Sequence, residues 1–261
     1  MKSVLQICKM EFENLLYNHW SWIIVSIYSI IAIIISVSSY LQKTYFDVIS
    51  SVPVMFLNII APIFLILIIV ISLSQVFAGE TENNTNQIPN TCQIGKKGRN
   101  YCKIISGILY STFIVLLICL ITFLVCFFTK HFINANWEVI KDIGYELNLD
   151  FSWNVLQHFV FAIISLLSGS IVFSLIVLFI SSISKTVITS IGISTVFTIL
   201  EFIFNRFSFP IISKEINIFV FFKPYYLYVF NIFKFSPYIN LILLFFIFLI
   251  IILLLNYCKK N

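Results

Sequence analysis

The sequence predicts an all-α integral membrane protein with six transmembrane helices, an amphipathic N-terminal interfacial helix and a re-entrant or interfacial hairpin before the last helix. Sixty per cent of its 261 residues are hydrophobic and only 10% are charged, whereas soluble domains carry about 25% charged residues. The apolar residues form long runs, and about 20 of them in a row allow a helix to cross the hydrocarbon core of a bilayer. A membrane β-barrel would instead show short segments of alternating hydrophobicity.

The first element, residues 1–19, is predicted to be an amphipathic helix that lies along the membrane surface. Apolar residues recur there at helical spacing, and polar residues fall on the opposite side. The competing interpretation is a cleavable signal peptide. The apolar run that follows is longer than the usual length of about 7–15 residues, and Glu11 and Glu13 do not fit the basic leader of such peptides.

Six spans are predicted, at residues 20–40, 53–77, 104–128, 156–180, 187–204 and 238–257. Pro62 lies inside the second span, where a proline is expected to kink the helix. Residues 209–237 are apolar and aromatic but are interrupted by charges, so they are predicted to form half-helices that re-enter the membrane or lie at its interface. The whole chain, 1–261, is predicted to be a single transmembrane domain.

A polar segment at residues 78–103, here called the 78–103 loop, separates the second and third spans. Those two spans contain no charged residue, whereas the loop carries two carboxylates and four cations: Glu80, Glu82, Lys96, Lys97, Arg99 and Lys103. Burying four cations at the centre of a bilayer would cost roughly 10–14 kcal/mol. The loop is therefore expected to lie in water.

The distribution of Lys and Arg predicts the orientation, because cytoplasmic loops are enriched in these residues. With six spans, both termini share one side of the membrane with the 78–103 loop and with the short turn at residues 181–186. That side holds nine of the sixteen basic residues, four of them in the 78–103 loop. We expect a multi-pass protein of the plasma membrane, with both termini and this loop in the cytoplasm.

Polar residues within the predicted spans are candidates for a gate or a substrate path. Glu201 lies towards the outer end of the fifth span, and Ser165 and Ser190 belong to small polar faces of the fourth and fifth spans. Two interpretations stay open for each. Glu201 either contributes to a gate or anchors the helix end at the interface, and the serines either line a path or allow helices to pack closely.

Catalytic, cofactor-binding and metal-binding patterns are missing from the sequence. It contains no phosphate-loop, zinc-protease or nucleophile-elbow motif. Its three histidines and six cysteines show no metal-ligand spacing. We expect no catalytic site, no bound cofactor, no metal and no nucleic-acid partner, so any ATP that drives this protein would be hydrolysed by another polypeptide.

The spacing of polar residues in the 78–103 loop resembles the loop between the second and third spans of ABC-2-type transporter permeases. The residues that carry the resemblance are Glu80, Thr85, Thr91, Gly95, Lys96, Lys97, Arg99 and Lys103. The wider layout is also similar to that family: an amphipathic N-terminal helix, six spans, and a hairpin before the last span.

This resemblance implies the permease subunit of a bacterial ABC exporter. It implies a second permease subunit, identical or paralogous, and separate ATPase subunits that hold ATP and Mg. In the family the loop includes a short coupling helix that docks on the ATPase, which here would also involve Glu82. The exported substrate would be a hydrophobic or antimicrobial peptide, a drug or a lipid, and membrane lipid surrounds the spans.

Two other classes of protein are alternative interpretations of the sequence. An ion- or proton-coupled secondary transporter would normally show several carboxylates within its spans and an internal repeat. A membrane-embedded enzyme would need facing Glu and His pairs inside the spans. Within the predicted spans Glu201 is the only carboxylate, so an exporter subunit is the preferred interpretation.

The orientation can be tested by cysteine labelling of intact cells on a cysteine-free background. A cysteine introduced at Asn90, in the 78–103 loop, should not react with a membrane-impermeant maleimide until the cells are permeabilised. A cysteine at Glu138, between the third and fourth spans, serves as the control and should react at once. Labelling of the Asn90 position from outside would show that the predicted orientation is wrong.

Overall fold

The computed structural model describes residues 2–41, 53, 56–83, 95–129 and 155–206. Helices make up nearly all of this part of the chain, and no strand occurs within it. The elements are α1 (Lys2–Leu16), α2 (His19–Leu41), a π-helical turn (Phe56–Ile60), α3 (Ala61–Leu73), α4 (Gln75–Glu82), α5 (Gly95–Phe128), α6 (Val155–Ile183) and α7 (Val187–Arg206). The all-α prediction is confirmed for the described residues.

Four segments of the described chain are long and apolar enough to cross a membrane: His19–Ser38, Ala61–Glu82, Gly98–Phe128 and Ala162–Ile183. They coincide with the first four predicted spans, and their length and composition are those of a multi-pass membrane protein. A shorter apolar stretch, Val187–Ile199, lies at the fifth predicted span. The predicted hairpin at 209–237 and the sixth span at 238–257 lie outside the described residues.

The second span lies at the centre of the described bundle, and the first lies at its edge. Within an apolar window of 18 residues in each span, 61% is buried inside the protein for Ala61–Glu82, against 28% for His19–Ser38. Helix α2 buries Val25 and Tyr28 but leaves large apolar side chains such as Ile34 exposed. Lipid chains are as apolar as these side chains, so an outward apolar face carries no penalty in a bilayer.

Helices α5 and α6 approach each other closely at Gly107. A Cβ atom at this position would lie 2.9 Å from Cδ1 of Leu178, which is closer than real side chains pack. One turn further along α5, the hydroxyl oxygen of Ser111 lies 3.5 Å from that of Ser174 on α6. Small residues at the contact allow the two backbones to come together, as in other pairs of membrane helices.

Buried hydroxyl groups connect α2 to the centre of the bundle. The Ser21 hydroxyl oxygen lies 2.7 Å from that of Ser72 on α3, which in turn lies 2.9 Å from the Tyr110 hydroxyl oxygen on α5. Further along α2, the hydroxyls of Tyr28 and Thr122 lie 2.5 Å apart. Hydrogen bonds between helices satisfy polar groups that lipid cannot, so these contacts fix how α2 is rotated.

The predicted N-terminal helix is present as α1, and its apolar side packs against protein. The ring of Phe12 meets that of Phe113 on α5 edge to face, with centroids 6.3 Å apart, and Leu15 is buried. On the opposite side, Lys9 and Glu13 form an exposed ion pair of 3.7 Å, one helical turn apart. The apolar side of the amphipathic helix α1 therefore packs against α5.

The second predicted span is not one uniform helix, and the kink expected at Pro62 stays a prediction. This proline lies in the first turn of α3, directly after the π-helical turn Phe56–Ile60, where a helix does not need its missing N–H group. The interruption within the helix comes at Ser74, which separates α3 from α4. Helix α4 is consequently a distinct segment at the end of the span.

The seating of α1 on α5 brings Cys8 next to Cys102. The hydroxyl oxygen of Ser106 lies 3.2 Å from the Cys8 carbonyl oxygen and 2.5 Å from that of Cys102. We predict that copper phenanthroline will cross-link Cys8 to Cys102 in membranes. A disulfide requires Cα atoms about 4.4–6.8 Å apart, and we expect this pair to meet that requirement because both residues contact Ser106. Mass spectrometry of unreduced peptides would detect the product.

Cys119 and Cys126 provide the matched control. Both are buried on α5, and seven residues separate them by about 10.5 Å along a helix, which is too far for a disulfide. An absent Cys8–Cys102 cross-link, in protein whose Cys8 still reacts with a maleimide, would contradict the packing of α1 on α5.

Candidate functional site

Several helix ends meet at one end of the bundle. The end of α4 and the start of α5 lie there with α1 and with the turn between α6 and α7. The sequence predicts the same side of the membrane for these segments, which are the N-terminal helix, both ends of the 78–103 loop and the turn at 181–186. Their contacts bring them together as one polar site.

An ionic network, here called the Glu80 cluster, consists of Glu11, Glu80, Arg99 and Lys103. One carboxylate oxygen of Glu80 lies 2.5 Å from Nη2 of Arg99, and the other lies 2.5 Å from Nζ of Lys103. Nε of Arg99 also lies 3.4 Å from Oε1 of Glu11 on α1. Three helices are thus joined, because Arg99 of α5 pairs with Glu11 of α1 and with Glu80 of α4.

The helical repeat explains why α5 supplies two cations to one acceptor. Arg99 and Lys103 are four residues apart, so both side chains project from the same side of the first turns of α5. Glu80 approaches this side from α4, two residues before that helix ends at Glu82. The two ends of the chain between these helices, residues 83–94, are therefore held together by ion pairs.

Lys103 is the most constrained member of the cluster, because its side chain is only 1% exposed. A buried ammonium group is costly unless it is paired and hydrogen-bonded. Its Nζ atom meets this need by donating to the Val76 carbonyl at 2.8 Å as well as pairing with Glu80. It also lies 4.9 Å from the centroid of the Phe77 ring, within the range of a cation–π contact.

Helix α4 also holds the start of α7. Val187 is the first residue of α7. Its amide donates a hydrogen bond of 2.9 Å to Oε2 of Glu82. A carboxylate at this position satisfies an amide that has no partner within its own helix and interacts favourably with the helix dipole. One residue earlier, the hydroxyl of Thr81 lies 3.0 Å from the Lys185 carbonyl oxygen.

An open cleft of about 810 Å³ lies beside the cluster, between α1 and α4. Charged and amide side chains line much of it, among them Glu11, Asn14, Gln75, Glu80, Glu82 and Arg99. Helices α5 and α7 complete its walls through Lys103, Ser106 and Val187. The described site therefore combines a rigid ionic network with a polar surface open to solvent or to another molecule.

The structure brings together only part of the predicted coupling loop. Glu80, Arg99 and Lys103 are in direct contact, and Glu82 lies two residues beyond Glu80 on α4. Gly95 is the first residue of α5, and Lys96 and Lys97 follow it in the first turn, although their side chains are not among those described. Thr85 and Thr91 lie outside the described residues.

The expectation that all four cations of the loop lie in water is wrong for Lys103. The third span was predicted to begin at residue 104, but α5 begins at Gly95, so Lys103 lies within a helix that packs against α4. Its charge tolerates burial because Glu80 and the Val76 carbonyl replace water. A transfer cost calculated for an isolated cation does not include such partners.

The intramembrane candidates occupy two different helices. Ser165 lies on α6 and Ser190 on α7, and both are fully buried. The Ser190 hydroxyl makes no hydrogen bond within the described part of the chain. Glu201 lies on α7, where the helix is described but this side chain is not. Both interpretations of these residues, as a path or as packing contacts, stay predictions.

Two contributors to the site were not predicted from the sequence. Glu11 was considered only as evidence against a signal peptide, although it lies four residues before the buried Leu15 and so on the packed side of α1. The Val76 carbonyl could not have been found, because a backbone group carries no signal in a sequence. Glu11 and Val76 lie 88 and 27 residues from their partners Arg99 and Lys103.

Comparisons with known proteins do not assign the chain to a family. Neither a scan against protein-family models nor a search of the curated proteins finds a match. The geometry of the described residues is therefore the basis for a functional proposal.

The ion pair between Glu80 and Lys103 can be tested through stability. Glu80→Gln removes the charge opposite a buried ammonium, and breaking a buried pair in this way typically costs about 3–5 kcal/mol. We expect a clearly lower Tm for this variant in detergent, measured by tryptophan fluorescence. Adding Lys103→Met should recover much of the loss, because an apolar side chain of similar length needs no partner in the same space.

Glu13→Gln is the matched control, since Glu13 forms an exposed pair with Lys9 on α1. Such pairs contribute only about 0–1 kcal/mol, so its Tm should stay close to that of the wild type. The importance of the cluster would be refuted if Glu80→Gln were as stable as Glu13→Gln.

Proposed function

We propose that this chain is the permease subunit of an ATP-driven ABC exporter and that it couples to a separate ATPase subunit through the 78–103 loop. The observation that carries the proposal is the Glu80 cluster at the base of that loop. The cluster connects the end of the second span to the start of the third and to α1. A partner that pulls or pushes residues 84–94 would act on all three helices together.

The same arrangement gives the loop a stiff base. Ionic and hydrogen-bonded contacts are strong where water is excluded, and Lys103 is almost completely buried. Glu82 extends the connection to α7 by accepting from the Val187 amide. A displacement at the loop would therefore reach four described helices, through the three ion pairs of the Glu80 cluster and the hydrogen bond between Glu82 and Val187.

The energy source would lie on the partner. The sequence has no phosphate loop to hold the β- and γ-phosphates of a nucleotide, so ATP and Mg would bind to the ATPase subunit and this chain would carry no cofactor and no enzymatic activity. Coupling residues on this chain would be Glu80, Glu82, Thr85, Thr91, Gly95, Lys96, Lys97, Arg99 and Lys103.

The assembly would contain two permease subunits in a bacterial plasma membrane, with the 78–103 loop and both termini in the cytoplasm. Exposed apolar side chains on α2 and α5, such as Ile30 and Leu116, offer surfaces for lipid or for the second subunit. The substrate would be a hydrophobic or antimicrobial peptide, a drug or a lipid. Glu201, Ser165 and Ser190 would contribute to its gate or path.

Charge reversal in the first turn of α5 tests the coupling role without removing a member of the Glu80 cluster. We expect the double variant Lys96→Glu/Lys97→Glu to retain about a tenth or less of the copurifying ATPase activity, because repulsion would replace attraction at the docking surface. The variant should still insert into the membrane. The measurement is ATPase turnover per permease after purification from its own host in detergent.

Lys141→Glu/Lys214→Glu is the control, since the sequence predicts the opposite side of the membrane for both lysines. It should keep wild-type ATPase association. The coupling proposal would be abandoned if the outer pair abolished association while the Lys96/Lys97 variant preserved it. Robust ATP turnover by the isolated, contaminant-free chain would exclude a permease subunit altogether.

A further inference from the structure

The break between α3 and α4 interrupts the backbone hydrogen bonds of the second span. In a continuous α-helix the Ala78 amide would donate to the Ser74 carbonyl, four residues earlier. The bond before the break is intact, because the Ser74 amide donates to the Val70 carbonyl at 3.2 Å. Beyond it, the amides of Phe77 and Ala78 donate to a side chain of another helix.

That side chain is Ser181 of α6. Its hydroxyl donates to the Ser74 carbonyl at 2.8 Å and accepts from the amides of Phe77 and Ala78 at 3.2 and 3.1 Å. One hydroxyl thus contacts both the carbonyl and the amide that pair with each other in a continuous α-helix. Ser74 and Ser181 are fully buried, and a side chain inserted into the ladder is a recognised cause of a helix kink.

Beyond the break, α4 is held by its neighbours. Lys103 on α5 donates to the Val76 carbonyl, the Thr81 hydroxyl reaches the Lys185 carbonyl, and Glu82 accepts from the Val187 amide. These contacts require α4 to point towards the turn between α6 and α7. The direction of α4 is therefore set jointly by the inserted hydroxyl and by the partners at its far end.

We infer that Ser181 is a positioning residue: its hydroxyl holds α4 at an angle to α3, and this angle presents Glu80 and Glu82 to their partners. The role of this angle in transport rests on the proposed function. The hydrogen bonds of the Ser181 hydroxyl do not depend on that proposal. Nothing in the sequence distinguishes Ser181 from the neighbouring Ser182, whose hydroxyl donates to the Phe179 carbonyl of its own helix at 2.7 Å.

The inserted hydroxyl also makes the break reversible. If Ser181 withdraws, the Ala78 amide can donate to the Ser74 carbonyl, and α3 and α4 can join as one straight helix. The two arrangements satisfy the same backbone groups, so neither leaves a buried amide or carbonyl without a partner. A straight helix would move Glu82 away from the Val187 amide. Hydrogen exchange at that amide therefore reports the angle between α3 and α4.

The experiment compares Ser181→Ala with Ser182→Ala in the full-length chain in detergent, using hydrogen–deuterium exchange read by mass spectrometry. Without the Ser181 hydroxyl, the Ala78 amide should stay protected from exchange, because it then donates to the Ser74 carbonyl. The Val187 amide should exchange at least tenfold faster, because Glu82 no longer accepts from it. The Ser182 variant should match the wild type at both sites, and Ser181→Thr, which keeps the hydroxyl, should restore protection at Val187.

The inference is overturned if Ser181→Ala leaves exchange at Val187 within twofold of the Ser182 variant. If the alanine variant does not fold, Ser181→Cys takes its place against Ser182→Cys, since a thiol fills the site but is a much weaker hydrogen-bonding group. Exchange at Val187 in the Ser181→Cys protein that is no faster than in its control would likewise reject the inference.

A second measurement separates this inference from the proposed function. In a complex with a copurifying ATPase, a non-hydrolysable ATP analogue should change exchange at Val187 in the wild type and in the Ser182 variant, but not in Ser181→Ala. An equal change in all three would show that Ser181 does not transmit the motion. If no ATPase copurifies with the wild type, the proposed function fails, and exchange in the isolated chain still decides the role of Ser181.

Discussion

The buried ion pair between Lys103 and Glu80 is the constraint on which the described polar site depends. An ammonium group that is 1% exposed must keep its counter-charge close, so the end of α4 cannot move away from the start of α5. The Val76 carbonyl adds a second contact from the same helix. Arg99 shares Glu80 with Lys103 and reaches Glu11, which brings α1 into the same network.

Around this pair, the described bundle is held by polar contacts between otherwise apolar helices. Lipid competes equally for apolar side chains, so small residues and hydroxyls decide which helix faces pair. Gly107 allows α5 and α6 to approach, and Ser72 connects α2 and α5 to the central helix. A hydroxyl also contacts the backbone of the second span. Ser181 of α6 hydrogen-bonds to the Ala78 amide and the Ser74 carbonyl at the break between α3 and α4.

These features give the proposed exporter role a mechanical basis. The 78–103 loop leaves the bundle from α4 and returns through α5, and its base is closed by charges rather than by apolar contacts. Apolar surfaces slide with little change in energy, whereas ion pairs and directed hydrogen bonds resist small displacements. In the proposed exporter such a loop would pass force to the spans. The second span also contains the break at Ser74, between α3 and α4.

The sequence by itself determined the membrane class, the first four spans, the N-terminal helix and the residues that carry charge in the 78–103 loop. Those properties depend on local composition and periodicity, which a sequence contains. Only the tertiary structure decided that Lys103 is buried, that Glu11 joins Glu80 through Arg99, and that Ser181 enters the second span. These contacts join residues 19 to 107 positions apart, so they depend on helix packing, which no local pattern specifies.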